Sequence, residues 1–184
     1  MSSGTKNIKL FIYKYFPVIL LFIAILNELD FNYLDLRYFS FNFSYILIFY
    51  YSIKRSQSLG YIYVFIAGLF NDVVVGTPVG LSSLMFLILC VAASYLRNIT
   101  LRPSLIKDGI FFLITILIIN SLLFIALNFI FDYEIDFFDQ IMNITFTFLL
   151  YFLFSNMFNI FEKYLMGNSN VKWKLWYKKS SNYQ

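Results

Sequence analysis

The sequence predicts an all-α integral membrane protein with six transmembrane helices and both termini in the cytoplasm. The first observation behind this prediction is composition: the 184 residues are 60% hydrophobic and only 13% charged, about half the charge of a soluble domain. The second is that the apolar residues form six long runs separated by charged segments. Helices are the expected element, because lipid offers no partners for unpaired backbone groups.

The six apolar runs approach the length of about 20 helical residues that the hydrocarbon core of a bilayer requires. We place the spans near residues 10–26, 36–53, 59–75, 79–96, 109–131 and 137–161. They make a transmembrane domain of residues 1–161, and a basic, aromatic cytoplasmic tail follows at 162–184. The first run follows basic residues, as in a signal peptide. It lacks a small-x-small cleavage site, so we interpret it as a retained span.

The distribution of charged residues independently supports six spans. Every basic residue except Arg37 lies at the start of the chain (Lys6, Lys9 and Lys14), between the second and third spans, between the fourth and fifth, or after the sixth. Six spans place these four regions on one side of the membrane, and the opposite loops carry acids within residues 28–35 and 132–139. Because Lys and Arg concentrate in cytoplasmic loops, both termini are predicted to be cytoplasmic.

The chain contains no histidine and a single cysteine, Cys90, within an apolar run. A His-dependent triad needs its base, and a zinc site needs several nitrogen or sulfur ligands, so both are excluded. One cysteine also excludes an intrachain disulfide. We therefore expect a protein that is not an enzyme and has no cofactor and no metal.

The third and fourth spans are joined by "GLFNDVVVGTPVG", from Gly68 to Gly80. Gly68, Asp72 and Gly76 are spaced four apart, which places them on one helix face and allows a second helix to come close. Gly76 also suits a helix C-terminus, and Thr77-Pro78 is typical of an N-cap followed by proline at the first helical position. The spacing predicts a tight hairpin on the outer side of the membrane.

Asp72 is an acid without a nearby basic residue, and two interpretations stay open. In the structural one, its carboxylate locks the hairpin by accepting hydrogen bonds from backbone N–H groups at the start of the fourth helix and from nearby side chains. The side-chain donors we expect are Asn71, Thr77, Ser82 and Ser83. In the functional one, Asp72 belongs to an ion or proton site or contacts a helix of a partner protein.

The tail segment "KWKLWYKK" suits a membrane-interface anchor or, alternatively, a docking segment for a cytoplasmic partner. The anchor residues are Lys172, Trp173, Lys174, Trp176, Lys178 and Lys179.

Two other stretches have polar or charged residues with simple expected roles. The acidic loop "FDYEIDFFDQ" lacks the framework of a calcium loop, so we expect a solvated loop and not a divalent-cation site. Hydrogen bonds between helices are expected from Asn120, Asn128, Asn143, Thr145 and Thr147.

The stretch from Gly60 to Arg97 resembles the core signature of the rod shape-determining MreD family. That signature is a helix ending in Gly-Leu-Leu-x-Asp, a Gly-x-Pro-x-Gly-Leu turn, and a second helix ending in basic residues. The matching positions are Gly68, Leu69, Asp72, Gly76, Pro78, Gly80, Leu81 and Leu84. The chain departs from the family in lacking a proline before the second span, where it has "RYFSFNFSYIL".

The resemblance implies a multi-pass inner-membrane protein of the bacterial cell-elongation machinery that acts as a scaffold or regulator. The partners it implies are a bitopic MreC-like protein, an actin-like MreB homologue, a RodA-type polymerase and a class B penicillin-binding protein, together with membrane lipid and without nucleic acid. The family's fold is similar to that of the substrate-binding membrane subunits of energy-coupling-factor vitamin transporters. A small-molecule transporter subunit is therefore the alternative function.

Overall fold

The computed structural model describes residues 15–26, 41–99, 104–132 and 136–166, apart from the side chains of residues 56–58 and 165–166. The described residues form helices and no strands. The helices are α1 (Tyr15–Leu26), α2 (Phe43–Leu59), α3 (Tyr61–Val75), α4 (Leu81–Ile99), α5 (Leu105–Ile125, continued by a π-helical turn at Ala126–Ile130) and α6 (Phe137–Met166). The predicted tail anchor and the segment 27–40, where the second span was predicted to begin, lie outside the described residues.

Three of the described helices are long and apolar enough to cross a membrane. They are Leu81–Ile99, Leu105–Ile130 and Phe137–Tyr164. Tyr15–Leu26 and Tyr61–Val75 are shorter apolar helices. An all-helical bundle with such helices fits a membrane protein, whereas the count of six spans remains a prediction.

Helix α2 is the centre of the bundle. Every residue from Tyr45 to Tyr51 is at most 5% exposed, and the helix packs against α3, α4 and α6. A helix that is apolar on all sides needs an apolar surrounding, either other helices or lipid, and the burial of Tyr45 to Tyr51 shows that helices supply it here. Helix α2 therefore lies in the interior, and α3, α4 and α6 pack around it.

The loop predicted between the second and third spans is helical instead. Helix α2 continues past residue 53 to Leu59, with a kink at Arg55, whose backbone angles (φ −153°, ψ 59°) are not helical. Gly60 alone separates α2 from α3, and its positive φ of 49° turns the chain. Lys54 and Arg55 thus lie within the helical bundle and not in a solvated loop.

Aromatic rings fill the space between α2, α5 and α6. The Phe112 and Tyr151 rings stack with centroids 4.5 Å apart, and Phe49 meets them at 5.0 and 5.9 Å. All three side chains are at most 1% exposed. Ring pairs at these separations contribute about 0.5–1.5 kcal/mol each beyond the burial of their area.

The polar residues predicted in the fifth and sixth spans divide into two groups. Asn143 and Thr147 link α6 to the start of α2, because the Asn42 backbone N–H donates to Thr147 Oγ1 (2.9 Å) and the Asn42 side chain donates to Asn143 Oδ1 (3.2 Å). Asn120 and Thr145 instead bond carbonyls one turn back in their own helices, as short polar side chains do. Asn128 is exposed.

Replacing Gly68 by alanine is expected to destabilise the bundle, because the added Cβ overlaps the backbone of Ser83. Overpacking of this kind costs about 1–3 kcal/mol. At Gly109 the added Cβ meets only the end of the Phe152 ring, which is 38% exposed and has room to turn. The matched Gly109→Ala variant should therefore be neutral or slightly stabilised. Thermal unfolding in one detergent measures both, and equal melting temperatures would contradict the close approach of α3 to α4.

Candidate functional site

Helix α3 ends in a left-handed glycine cap. Gly76 has φ 79° and ψ 22°, and its N–H donates to the Asp72 carbonyl at 2.9 Å. The Thr77 N–H donates to the same carbonyl at 3.0 Å. A side chain at Gly76 would be strained by this φ, although a Cβ would meet nothing within 4 Å. Gly76 therefore ends α3, as predicted. It was also predicted to share the face where α3 packs against α4, and that is wrong, because a Cβ at Gly76 would contact nothing.

The Asp72 side chain is completely buried and accepts three hydrogen bonds from the chain that follows it. Thr77 Oγ1 donates to Oδ1 at 2.9 Å, and the Ser82 backbone N–H donates to the same oxygen at 2.9 Å. The Gly80 backbone N–H donates to Oδ2 at 2.7 Å. Hydrogen bonds to a carboxylate are shorter and stronger than bonds between neutral groups. The carboxylate thus connects the end of α3 with both the turn and the start of α4.

Asp72 caps α4 from the preceding helix. The Gly80 carbonyl accepts the first intrahelical bond, from the Leu84 N–H at 3.0 Å, so Gly80 occupies the N-cap position. The side chain of an N-cap residue normally accepts hydrogen bonds from the first free N–H groups of the helix. Glycine has no side chain, so Gly80 cannot do this. Asp72 supplies that oxygen, and its negative charge lies at the positive end of the α4 dipole.

The start predicted for the fourth helix is wrong. It placed Thr77 at the N-cap and Pro78 at the first helical position, whereas α4 begins at Leu81. The Thr77 hydroxyl is used by Asp72, and the Pro78 carbonyl accepts the Leu81 N–H at 3.2 Å as part of a turn. Gly80, with φ 101°, then allows the chain to enter the helix.

Thr77 is the only predicted side-chain donor that bonds Asp72. The prediction is wrong for the side chains of Asn71, Ser82 and Ser83, which close the hairpin at other points. Asn71 donates from its side chain to Ser82 Oγ at 3.1 Å, and the Ser83 hydroxyl donates to the Phe65 carbonyl at 2.9 Å. Gly68 faces the Ser83 backbone, and no Cβ fits between them. The two helices therefore approach closely at Gly68 and are joined by side-chain bonds on both sides of that contact.

This geometry limits what the hairpin can do chemically. Asp72 is 0% exposed and its oxygens accept from donors of the same chain, so its carboxylate is not accessible to another molecule. The most exposed side chains at the tip are apolar: Val73 is 71%, Val75 54% and Val79 75% exposed. Within the described ranges, no group of three or more His, Cys, Asp or Glu residues is arranged to hold a metal ion.

A second polar cluster lies at the opposite end of the bundle, and the sequence did not predict it. Arg55 of α2 and Glu162 of α6 form an ion pair at 3.7 Å, with side chains 10% and 9% exposed. Asp108 of α5 is also buried, at 3%. Lys54 interacts electrostatically with both Asp108 and Glu162. Three helices are thus joined by charges that have little contact with solvent.

The signal for this cluster was present in the charge pattern. Asp108 and Glu162 are the two acids that the predicted six-span topology places on the same side as most of the basic residues. The predicted boundary between span and tail at residue 161 separated Glu162 from the bundle, but α6 continues to Met166 and Glu162 packs inside it. An acid on the basic side is thus an indicator of a buried ion pair.

Comparison with family models gives one finding. The model described as rod shape-determining protein MreD matches residues 9–167 of the chain, which includes all the helices that the structure describes. Comparison with curated proteins gives no match, and comparison with solved structures gives none either.

The Asp72→Asn variant is expected to lose about 1–3 kcal/mol of stability, the cost of leaving a buried backbone N–H without its acceptor. One amide oxygen remains, but the amide nitrogen then faces the N–H of Gly80 or Ser82. The control is Asp139→Asn, an exposed acid in the first turn of α6, which should lose less than about 1 kcal/mol. Thermal unfolding of purified proteins measures the difference, and equal effects would contradict the capping role.

A double-mutant cycle tests the Arg55–Glu162 ion pair. Arg55→Gln and Glu162→Gln should each lower the melting temperature, because each leaves a buried charge without its partner. The double variant should lose less than the sum of the two, since neither charge remains. Additive losses would mean that the two side chains do not interact.

Proposed function

The chain belongs to the family of the rod shape-determining protein MreD, and from that premise we propose that it organises lateral peptidoglycan synthesis as a non-enzymatic component of the bacterial cell-elongation complex. Membership implies involvement in rod shape determination. The observation that carries the proposal is the family match over residues 9–167. The protein would regulate cell shape by determining where the enzymes of peptidoglycan synthesis are located in the membrane.

The proposal places the protein in the bacterial inner membrane with six spans and both termini in the cytoplasm. Three described helices are long and apolar enough to cross a bilayer, and the basic residues concentrate in alternate loops, as cytoplasmic loops do. The Arg55–Glu162 pair then lies at the cytoplasmic end, and the α3–α4 hairpin lies at the outer end. The tail from Lys172 to Lys179 anchors the protein at the headgroups.

As a scaffold, the protein acts through lateral contacts with other membrane proteins. The proposed partners are an MreC-like bitopic protein, an MreB-like actin homologue, a RodA-type polymerase and a class B penicillin-binding protein. The hairpin supports such a role because its inner bonds make it rigid while Val73 and Val79 face outward. A rigid apolar projection loses little conformational entropy when a partner binds to it. The candidate partner contact is thus the exposed tip of the hairpin around Val73 and Val79. Gly68, Asp72 and Gly80 fix the shape of that tip.

The alternative of a vitamin-transporter subunit gains no support from the interior between α2, α5 and α6. Phe49, Phe112 and Tyr151 occupy that space with ring centroids 4.5–5.9 Å apart. A ligand pocket needs several hundred Å³ lined by polar groups that converge on the ligand. This part of the described bundle is filled by its own side chains.

Depletion of the protein in its native organism should convert rods into rounded cells, because lateral wall synthesis then loses its organiser. Expression of the wild-type chain should restore the rods, and the tagged protein should co-purify with the bitopic partner. The Asp72→Asn variant should show reduced abundance and incomplete rescue. Cells that stay rod-shaped after depletion, together with a vitamin released from the purified protein, would favour the transporter function.

A further inference from the structure

Among the residues that the structure describes, none covers one face of helix α6. Its inward residues are spaced so that they meet α2 and α5, and each is buried: Thr147, Tyr151, Ser155, Phe158 and Glu162. On the opposite side lie Leu149, Leu153, Asn156 and Ile160, which we call the α6 seam. The three apolar members are 57%, 58% and 60% exposed, and Asn156 is exposed as well. The steps of four, three and four residues are those of a helix that packs along a second helix.

Whereas the exposed Asn128 of α5 lies two residues from the end of Leu105–Ile130, Asn156 is an exposed amide well inside its apolar helix. Its side chain forms no hydrogen bond within the described part of the chain, and it lies eight residues from the end of the apolar stretch Phe137–Tyr164. Eight helical residues correspond to about 12 Å, which is deep enough to remove the amide from the headgroups and their water. An amide that faces hydrocarbon without a partner is unfavourable. The exposed positions Ile114 and Ile118 of α5 are apolar and require only lipid.

We propose that the α6 seam binds a second copy of this chain, with Asn156 bonding the same residue of that copy. An amide has both donors and an acceptor, so two copies of one side chain satisfy each other. Insertion in one orientation makes neighbouring copies parallel, and equal positions meet in a parallel pair of helices. Asn156 therefore faces Asn156, and Leu153 faces Leu153. The symmetric contact closes on itself as a dimer.

This inference rests on the membrane insertion in the proposed function, but not on the role in cell shape. The Lys163 side chain lies three residues beyond Ile160, close to the cytoplasmic end. It is long enough to place its charge among the headgroups and not against its counterpart. The contact is thus apolar along its length, with one polar pair that fixes its register.

Disulfide cross-linking in liposomes tests the contact with the full chain. In a Cys90→Ser background, which keeps an acceptor for the Ser52 hydroxyl that otherwise donates to the cysteine sulfur, a Leu153→Cys variant should form cross-linked dimers at low protein density. The matched control is Val91→Cys on α4, a residue 63% exposed. It should form dimers only through random collision. Asn156→Leu, added to Leu153→Cys, should lower the association constant roughly three- to tenfold, as expected for one interhelical hydrogen bond in a membrane.

Three results would overturn the proposal. Equal cross-linking of the Leu153→Cys and Val91→Cys variants would indicate random collision. An unchanged association constant after Asn156→Leu would remove the role of the amide. A Leu153→Cys protein that stays monomeric in liposomes but is protected from thiol reagents in native membranes would assign the seam to a different protein. Because Asn156 is exposed, the Asn156→Leu variant should melt at the same temperature as the wild-type protein, which verifies that its fold is intact.

Discussion

The bundle depends on one buried carboxylate that satisfies backbone groups from a different helix. Within a bilayer, an unpaired N–H costs several kcal/mol, and the start of every helix has such groups. Asp72 accepts from the N–H groups of Gly80 and Ser82 while its own carbonyl accepts those of Gly76 and Thr77. The residue therefore ends α3 and begins α4 at the same point. Because α4 packs against α2, α3 and α5, its position affects most of the described bundle.

The two ends of the bundle solve the burial of an acid in different ways. At the hairpin, Asp72 is paired with dipoles of the backbone and one hydroxyl, which need no opposite charge. At the other end, Glu162 meets the guanidinium of Arg55, and each charge depends on the presence of the other. Between these ends, the rings around α2 hold the helices by packing alone. The interior thus changes from hydrogen-bonded, to aromatic, to ionic along its length.

The sequence predicted those features that depend on local spacing. Gly68 and Asp72, four residues apart, indicated the close α3–α4 contact and the bonded carboxylate, whereas Gly76 at the next interval lies off that contact; hydropathy indicated the helices. It did not predict that Gly80 is the N-cap, because its capping oxygen comes from Asp72, eight positions earlier, and depends on how two helices meet. The central position of α2 was also missed, since burial on all sides is a property of the neighbouring helices. The pairing of Arg55 with Glu162 required knowledge of α6 that hydropathy does not contain.

Amide hydrogen exchange at Gly80 and Ser82 tests the capping by Asp72 most directly. The Gly80 amide lies in the turn and the Ser82 amide in the first turn of α4. Amides at such positions normally exchange fast, because no backbone acceptor is available. If the carboxylate holds them, they should exchange as slowly as amides inside α3 and α4. The Asp72→Asn variant should speed exchange at these two positions before it does so in α5 or α6. Exchange in the wild-type protein as fast as that of an exposed loop amide such as Asp132 would contradict the account.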